Sequence, residues 1–319
     1  MKVIDMHCDT FSEIFLAKEK SLYSNDLNID IQKMQKGGYL LQNFAMFVPL
    51  DRVEDPRETA FRMIDIYNRE MYANREHIGR VLSFADIQKN QDAGKLSSML
   101  TIEEGGVCLG YLRTLRKLYS MGVRMITLTW NFENELGYPN TIAGLAGYDP
   151  SKRYGLKEFG FQFVEEMERL GMIVDVSHLS DDGFWDVCKV ATRPFVASHS
   201  NARSLCYHTR NLTDDMVRAL AGRGGVTGLN FCNIFLDADK KISTIDDTVR
   251  HMRYLANVGG IDCVGLGTDF DGIRNELELF NCSQMPRLAD AMARDGFTEA
   301  EIEKIFYHNV LRVYKDTLK

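Results

Sequence analysis

Proline is scarce, with 6 residues in 319, and no low-complexity tract interrupts the chain. With 45% hydrophobic and 26% charged residues, this is the composition of a folded globular protein and excludes a disordered one. No run of about 18 apolar residues occurs, which excludes a membrane-spanning helix. The opening Met1-Lys2-Val3-Ile4-Asp5-Met6-His7 carries charges where a signal peptide needs an apolar stretch, so no secretory segment is expected. No CxxC pair occurs, and the seven cysteines (Cys8, Cys108, Cys188, Cys206, Cys232, Cys263 and Cys282) are odd in number and scattered. That pattern excludes a disulfide framework and predicts buried thiols in a reducing, cytoplasmic compartment. Basic residues are also in deficit: 38 Lys and Arg against 45 Asp and Glu, for a net charge of −7, which argues against nucleic acid as a partner. No linker or shift in composition divides the chain, so a single domain over 1–319 is expected.

What is present is a repeated alternation. Short apolar runs stand at Val3–Met6, Leu40–Val48, Met99–Ile102, Arg124–Trp130, Ile173–Ser177, Phe195–Ser198, Gly225–Phe231 and Cys263–Phe270. Each run after the first follows a helical pattern: Ile29–Lys36, Arg57–Arg75, Leu109–Met121, Leu156–Leu170, Asp181–Val190, Asp214–Ala221 and Thr244–Val258. Two more helical stretches, Arg287–Arg294 and Thr298–Tyr314, close the chain. Apolar runs without period-two alternation suit strands buried on both faces. Strands alternating with helices form βαβ units and a parallel sheet. Eight in succession, in a chain of this length, predict an α/β fold of the (β/α)8 TIM-barrel type. Pro56, Thr213-Asp214-Asp215 and Thr298-Glu299 are helix-start signals, and Gly171, Gly222 and Gly259-Gly260 stand where helices should stop. The longest loop is expected at 133–153, after the fourth strand.

The chemistry-bearing residues fall at strand ends. His7 and Asp9 follow the first strand, Glu103 and Glu104 end the third, His178 ends the fifth, His199 the sixth, and Asp269 and Asp271 the eighth. In this fold the C-terminal ends of all strands meet at one face, where active sites lie. Three imidazoles and several carboxylates converging there suit zinc, and would also take Mn²⁺ or Co²⁺. A His-x-Asp pair presents both side chains to one ion because the residue between points away. Two histidines from neighbouring strands suit a second ion, and a carboxylate between them can bridge the pair. Two ions sharing a water generate a nucleophile at neutral pH. His77, His251 and His308 read as structural or solvated, His208 lies near Arg210 in a loop from which it could touch substrate, and Gly222-Arg223-Gly224-Gly225 does not match a phosphate loop.

These residues resemble the membrane dipeptidase (renal dipeptidase) family of zinc metallopeptidases over nearly the whole chain. The resemblance rests on His7-Cys8-Asp9, Glu104-Gly105-Gly106, Asp175-Val176-Ser177-His178 and Ser198-His199-Ser200-Asn201-Ala202-Arg203. Arg210-Asn211 with Asp214-Asp215, Gly267-Thr268-Asp269-Phe270-Asp271-Gly272 and His308-Asn309-Val310-Leu311-Arg312-Val313 continue it. It implies a metal-dependent hydrolase barrel with two Zn²⁺ per chain. His7 and Asp9 would bind the first, His178 and His199 the second, and Glu104, not Glu103, would bridge them. A metal-bridging hydroxide would attack the peptide bond of a dipeptide, L-Xaa-L-Xaa or L-Xaa-D-Xaa. Asp269 would act as general acid and base, and Arg210 would hold the substrate carboxylate. A homodimer is expected by analogy, and no membrane partner.

One departure concerns the substrate. Where better-known members carry Leu-Thr-His after the fourth strand, this chain has Leu128-Thr129-Trp130-Asn131. Trp130 offers one N–H donor and cannot take up a proton, so Trp130 and Asn131 are candidates for substrate contact. The alternative is a related binuclear metal amidohydrolase acting on another small amide, lactone or N-acyl amino acid. A barrel that keeps a metal only for stability fits less well, since structural zinc sites are closed and often cysteine-rich.

Overall fold

The computed structural model describes residues 1–17, 19–141, 145 and 147–319. Eight parallel strands form the barrel: β1 (Val3–Asp5), β2 (Tyr39–Phe47), β3 (Leu96–Glu103), β4 (Val123–Thr127), β5 (Ile173–Asp175), β6 (Val196–Ala197), β7 (Val226–Leu229) and β8 (Val264–Leu266). Each pairs with the next in parallel, and Asp5 opposite Leu266 joins β8 to β1 and closes the ring. The strands are buried nearly throughout because helices cover the outside, which is why their sequences read as continuous apolar runs.

The helices start and stop where the local chemistry demands. Pro56 opens Pro56–Ala73 at a position whose N–H would be unpaired anyway, and the Asp55 carboxylate accepts from Glu58 N–H. Thr213 and Thr298 cap Asp214–Gly222 and Glu299–Glu303, the latter with Glu301 completing a capping box. Gly171 ends Glu158–Leu170 with φ 79°, a left-handed conformation that costs glycine nothing.

Three features depart from the sequence reading. A short strand, Ile78–Arg80, pairs with Leu96–Ser98 at the foot of β3, on the edge that β4 takes over from Leu100 onward. It is followed by the helix Phe84–Asp92; three residues of strand carry too little periodicity to be seen. The helix Thr10–Leu16 directly follows the first metal-ligand candidates. The final helical stretch is broken by one π turn, Lys304–His308, before Asn309–Thr317. Asn309 there donates to the carbonyls of Ile261 and Val264 at 2.8 Å each, tying the last helix to the start of β8. Part of the expected 133–153 loop, residues 142–144 and 146, lies outside the described residues.

Candidate metal centre

Two buried aspartates knit the strand ends together. Asp5 Oδ1 accepts from His7 N–H (3.2 Å) and Thr268 N–H (2.9 Å), and Oδ2 from the Thr268 hydroxyl at 2.7 Å. Asp175 does the same between β4, β5 and β6. It accepts from Ser177 N–H (3.0 Å), Ser198 N–H (2.8 Å), and the hydroxyls of Thr127 and Ser198 at 2.6 Å each. Each carboxylate sits two residues before a site residue or one staple away from it, so the barrel mouth is locked by hydrogen bonds on both sides.

At that mouth the ligand candidates converge. His7 Nε2 lies 3.3 Å from Asp9 Oδ2, 3.5 Å from Glu103 Oε2 and 3.8 Å from Asp269 Oδ1. Glu103 Oε1 lies 3.2 Å from His178 Nε2 and 3.3 Å from His199 Nε2. The donor atoms form three overlapping sets: His7, Asp9 and Glu103; Glu103, His178 and His199; and His7, His199 and Asp269, each within 4.8 Å.

The carboxylate that stands among the three imidazoles is that of Glu103, where the expectation had placed Glu104. Glu103 is the last residue of β3 and its carboxylate faces the three imidazoles. At Glu104 the backbone leaves the strand with φ 114°, and its side chain turns away from the histidines. Its Oε1 accepts from Gly106 N–H (2.7 Å) and Asn134 Nδ2 (2.5 Å), and its Oε2 from Trp130 N–H (3.0 Å). Burial lifts this carboxyl to about 7, against the pull of those donors. The side-chain direction depends on one backbone angle, which two adjacent glutamates do not announce.

The imidazoles are oriented from behind. Asn131 Oδ1 meets His178 Nδ1 at 2.9 Å, which places a proton on Nδ1 and leaves the Nε2 lone pair toward Glu103. The Ser198 hydroxyl donates to Asp175 and so accepts from His199 Nδ1 at 2.7 Å, with the same result. Partners of this kind fix the tautomer of a metal-binding histidine. Asn131 thus positions His178, and it also lines the cavity where a substrate contact was expected of it.

Asp269 Oδ2 accepts from Asn230 Nδ2 at 2.9 Å, and burial pushes its carboxyl up to about 8. Burial would lower His7, but the carboxylates of Glu103 and Asp9 overcome it and hold that imidazole well above its ordinary value. Burial takes His178 down to about 4 and His199 well below its usual range. Asp271 is structural: it accepts from the Thr10 hydroxyl and Asn28 N–H, both at 2.7 Å.

This donor set fits divalent cations. Among the described residues, His7 Nε2 and Asp9 Oδ1 are buried without a hydrogen-bond partner, and the carboxylates of Asp9, Glu103 and Asp269 crowd together with no Lys or Arg ion pair to them. Unpaired buried charge of one sign is costly, and a cation resolves it. Gly272 leaves the room, since a Cβ there would stand 2.3 Å from Asp9 Oδ2 and 2.6 Å from Asp269 Oδ1. Among the five described non-glycine residues with positive φ, Glu104, His178, Asp269 and Asp271 all lie at this mouth, where strained backbone holds the side chains in place.

Above the cluster opens a cavity of about 640 Å³, lined by Asp9, Glu103, His178 and Asp269, with Trp130, Phe47 and Phe235 among its walls. Arg210 lies behind it. It is buried, and its guanidinium donates to Ser200 Oγ (2.6 Å) and the His199 carbonyl (2.9 Å), with Nε unpartnered. Trp130 is half-buried, its ring 4.8 Å from Phe47 and 5.8 Å from His178. Asn230, Ser198 and Asp175 were missed as site residues. A polar Asn230 just past β7, the one late strand end with no assigned ligand, was the available signal.

The chain is similar to known proteins along its length. A Klebsiella pneumoniae protein described as "Uncharacterized protein in pqqA 5′region" is 36% identical over 268 residues, covering 82% of this chain and 97% of that protein. The crystal structure of a metallo peptidase of family M19, dipeptidase AC, superposes with a TM-score of 0.91 at 26% identity, over 100% of this chain and 99% of that one. A Rhodobacter sphaeroides metallo peptidase, liganded with a phosphinate mimic of the dipeptide L-Ala-D-Ala, gives 0.91 at 25% identity over 99% of both chains. The profile of the membrane dipeptidase family matches residues 1–319. The chain therefore belongs to the membrane dipeptidase family, peptidase family M19, from its first residue to its last.

Proposed function

We propose that this protein is a dipeptidase using two zinc ions, with His7 and Asp9 on the first, His178 and His199 on the second, and Glu103 between them. The observation that carries this is the position of the Glu103 carboxylate, within 3.5 Å of all three imidazole Nε2 atoms at the base of an open cavity. Zinc bound there supplies Lewis-acid polarisation of the substrate carbonyl and an acidified water. Asp269 lines the cavity beside the cluster, where its carboxylate would take up a proton and pass it to the leaving amine. Asn230 holds Asp269 Oδ2, leaving Oδ1 to face the reacting atoms. Asn131 and Ser198 keep both imidazoles in the ligating tautomer. Arg210 anchors the substrate carboxylate through the N–H groups not used by Ser200 and His199. The thiols, none of them disulfide-bonded, suit the cytoplasm.

A second reading is favoured by one observation. Arg210 stands behind the cavity lining and both terminal nitrogens already have acceptors. A small amide, lactone or N-acyl amino acid without a free carboxylate would not need it. Hydrolysis of an L-Xaa-L-Ala and L-Xaa-D-Ala panel, with metal content measured and Asp269→Asn as control, decides between them. Cleavage that requires the free carboxylate supports the dipeptidase. Cleavage only of blocked amides or lactones supports the second reading.

A further inference from the structure

The two ends of the cavity differ in chemistry. Around the barrel, β3 stands opposite β7, so the residues following β2, β3 and β4 face those following β6, β7 and β8. The second group lines the cavity with Phe235 and Asp269, with Asn230 behind Asp269 and Arg210 behind His199. The first lines it with Phe47, Pro49, Val53 and Trp130, joined by Asn131 and, at the rim, Arg52. A substrate whose carboxylate is held at the Arg210 end directs its other residue toward this apolar end.

That wall is built and rigid. Phe47 and Trp130 pack at 4.8 Å between ring centres, tilted by 58°, and Phe132 backs Trp130 at 5.2 Å. Their backbones are tied to the two glutamates of the site: Trp130 N–H donates to Glu104 Oε2, and Val48 N–H, next to Phe47, to the Glu103 carbonyl at 3.3 Å. Such a wall is pre-organised for an apolar guest: Asn131 Oδ1 is already taken by His178 Nδ1, and the Trp130 indole offers a single N–H. The charged group nearby, Arg52, sits at the rim, 73% exposed beside Asp51. A volume of about 640 Å³ also leaves space that two small residues do not fill.

We infer that this end of the cavity is a subsite for a large apolar side chain, aromatic above all, on the residue whose carbonyl is attacked, and that Phe47 and Trp130 set the preference. The inference rests on the dipeptidase reading. An aromatic side chain edge-on or offset against two tilted rings gains contact that alanine lacks.

The test compares kcat/KM for L-Phe-L-Ala, L-Leu-L-Ala, L-Glu-L-Ala and L-Ala-L-Ala on the zinc-loaded enzyme, then on Phe47→Ala. The expected result is a preference for Phe over Ala on the order of 10- to 100-fold, with Leu between, which shrinks several-fold in Phe47→Ala while zinc content is unchanged. Equal rates for Phe and Ala, or a preference for Glu through Arg52, overturn the inference and leave the dipeptidase standing. If no peptide is cleaved by protein with verified zinc, the dipeptidase reading itself fails. The wild-type ratio decides the matter even if the variant does not fold.

Discussion

Exchanging Glu103 and Glu104 for glutamine, one at a time, separates two neighbours that look alike in the sequence. Glu103 puts one carboxylate oxygen 3.2 Å and 3.3 Å from two imidazole nitrogens and the other 3.5 Å from a third. Unit charges about 4 Å apart interact by about 4 kcal/mol at an effective dielectric of 20. Losing that charge beside a divalent ion should therefore weaken metal binding by on the order of 10³-fold or more. Glutamine at 104 acts differently. The carboxylate accepts three N–H bonds, from Gly106, Asn134 and Trp130, whereas an amide has a single acceptor oxygen. At least one buried donor loses its partner, a cost of about 1–3 kcal/mol in stability. Metal content after dialysis, with thermal melting of the same samples, reads both effects. Glu103→Gln should emerge nearly free of zinc, and Glu104→Gln should keep zinc but melt earlier. Zinc retained by Glu103→Gln and lost by Glu104→Gln would refute the assignment of the bridging position.

Asn131→Ala should weaken zinc binding by about 10- to 100-fold, the usual effect of losing the partner that orients a ligating histidine; unchanged affinity in a chelator competition would return Asn131 to the substrate. Gly272→Ala should fold yet lose metal and activity, because its Cβ would stand 2.3 Å from Asp9 Oδ2; a fully loaded variant contradicts the packing argument. His251 is held neutral, its Nδ1 accepting from Ala202 N–H (3.2 Å) and its Nε2–H donating to the Leu236 carbonyl (2.9 Å), and burial lowers it to about 4. With the unfolded value near 6.5, the unfolded chain binds the extra proton between pH 6.5 and 4. The stabilising effect of neutral His251 is thus complete above pH 6.5 and declines as pH falls, by at most about 3 kcal/mol. The difference in unfolding free energy between wild type and His251→Gln should shrink over that window; a pH-independent difference shows that His251 does not titrate there.

The alternation of apolar runs and helical patterns was enough to place all eight barrel strands, because a strand buried on both faces and a covering helix each leave their own period in the sequence. The convergence of His7, Asp9, His178, His199 and Asp269 followed from the fold, since a parallel barrel gathers its strand ends whatever lies between them. Three things were invisible. The Ile78–Arg80 strand is too short to show a period. The choice between Glu103 and Glu104 hangs on whether the chain leaves β3 before or after the residue, a φ of 114° that only the packed Gly105-Gly106 turn and the Trp130 and Asn134 donors impose. The placement of Arg210 behind the cavity, and of Asn131 behind His178, depends on side chains that meet across loops distant in sequence. Sequence by itself determined the elements, their order and the residue types at the mouth, because those are set by local periodicity and chain connectivity. Only the tertiary structure decided which of two adjacent carboxylates points inward, because that direction is set by hydrogen-bond partners the chain brings together when it closes.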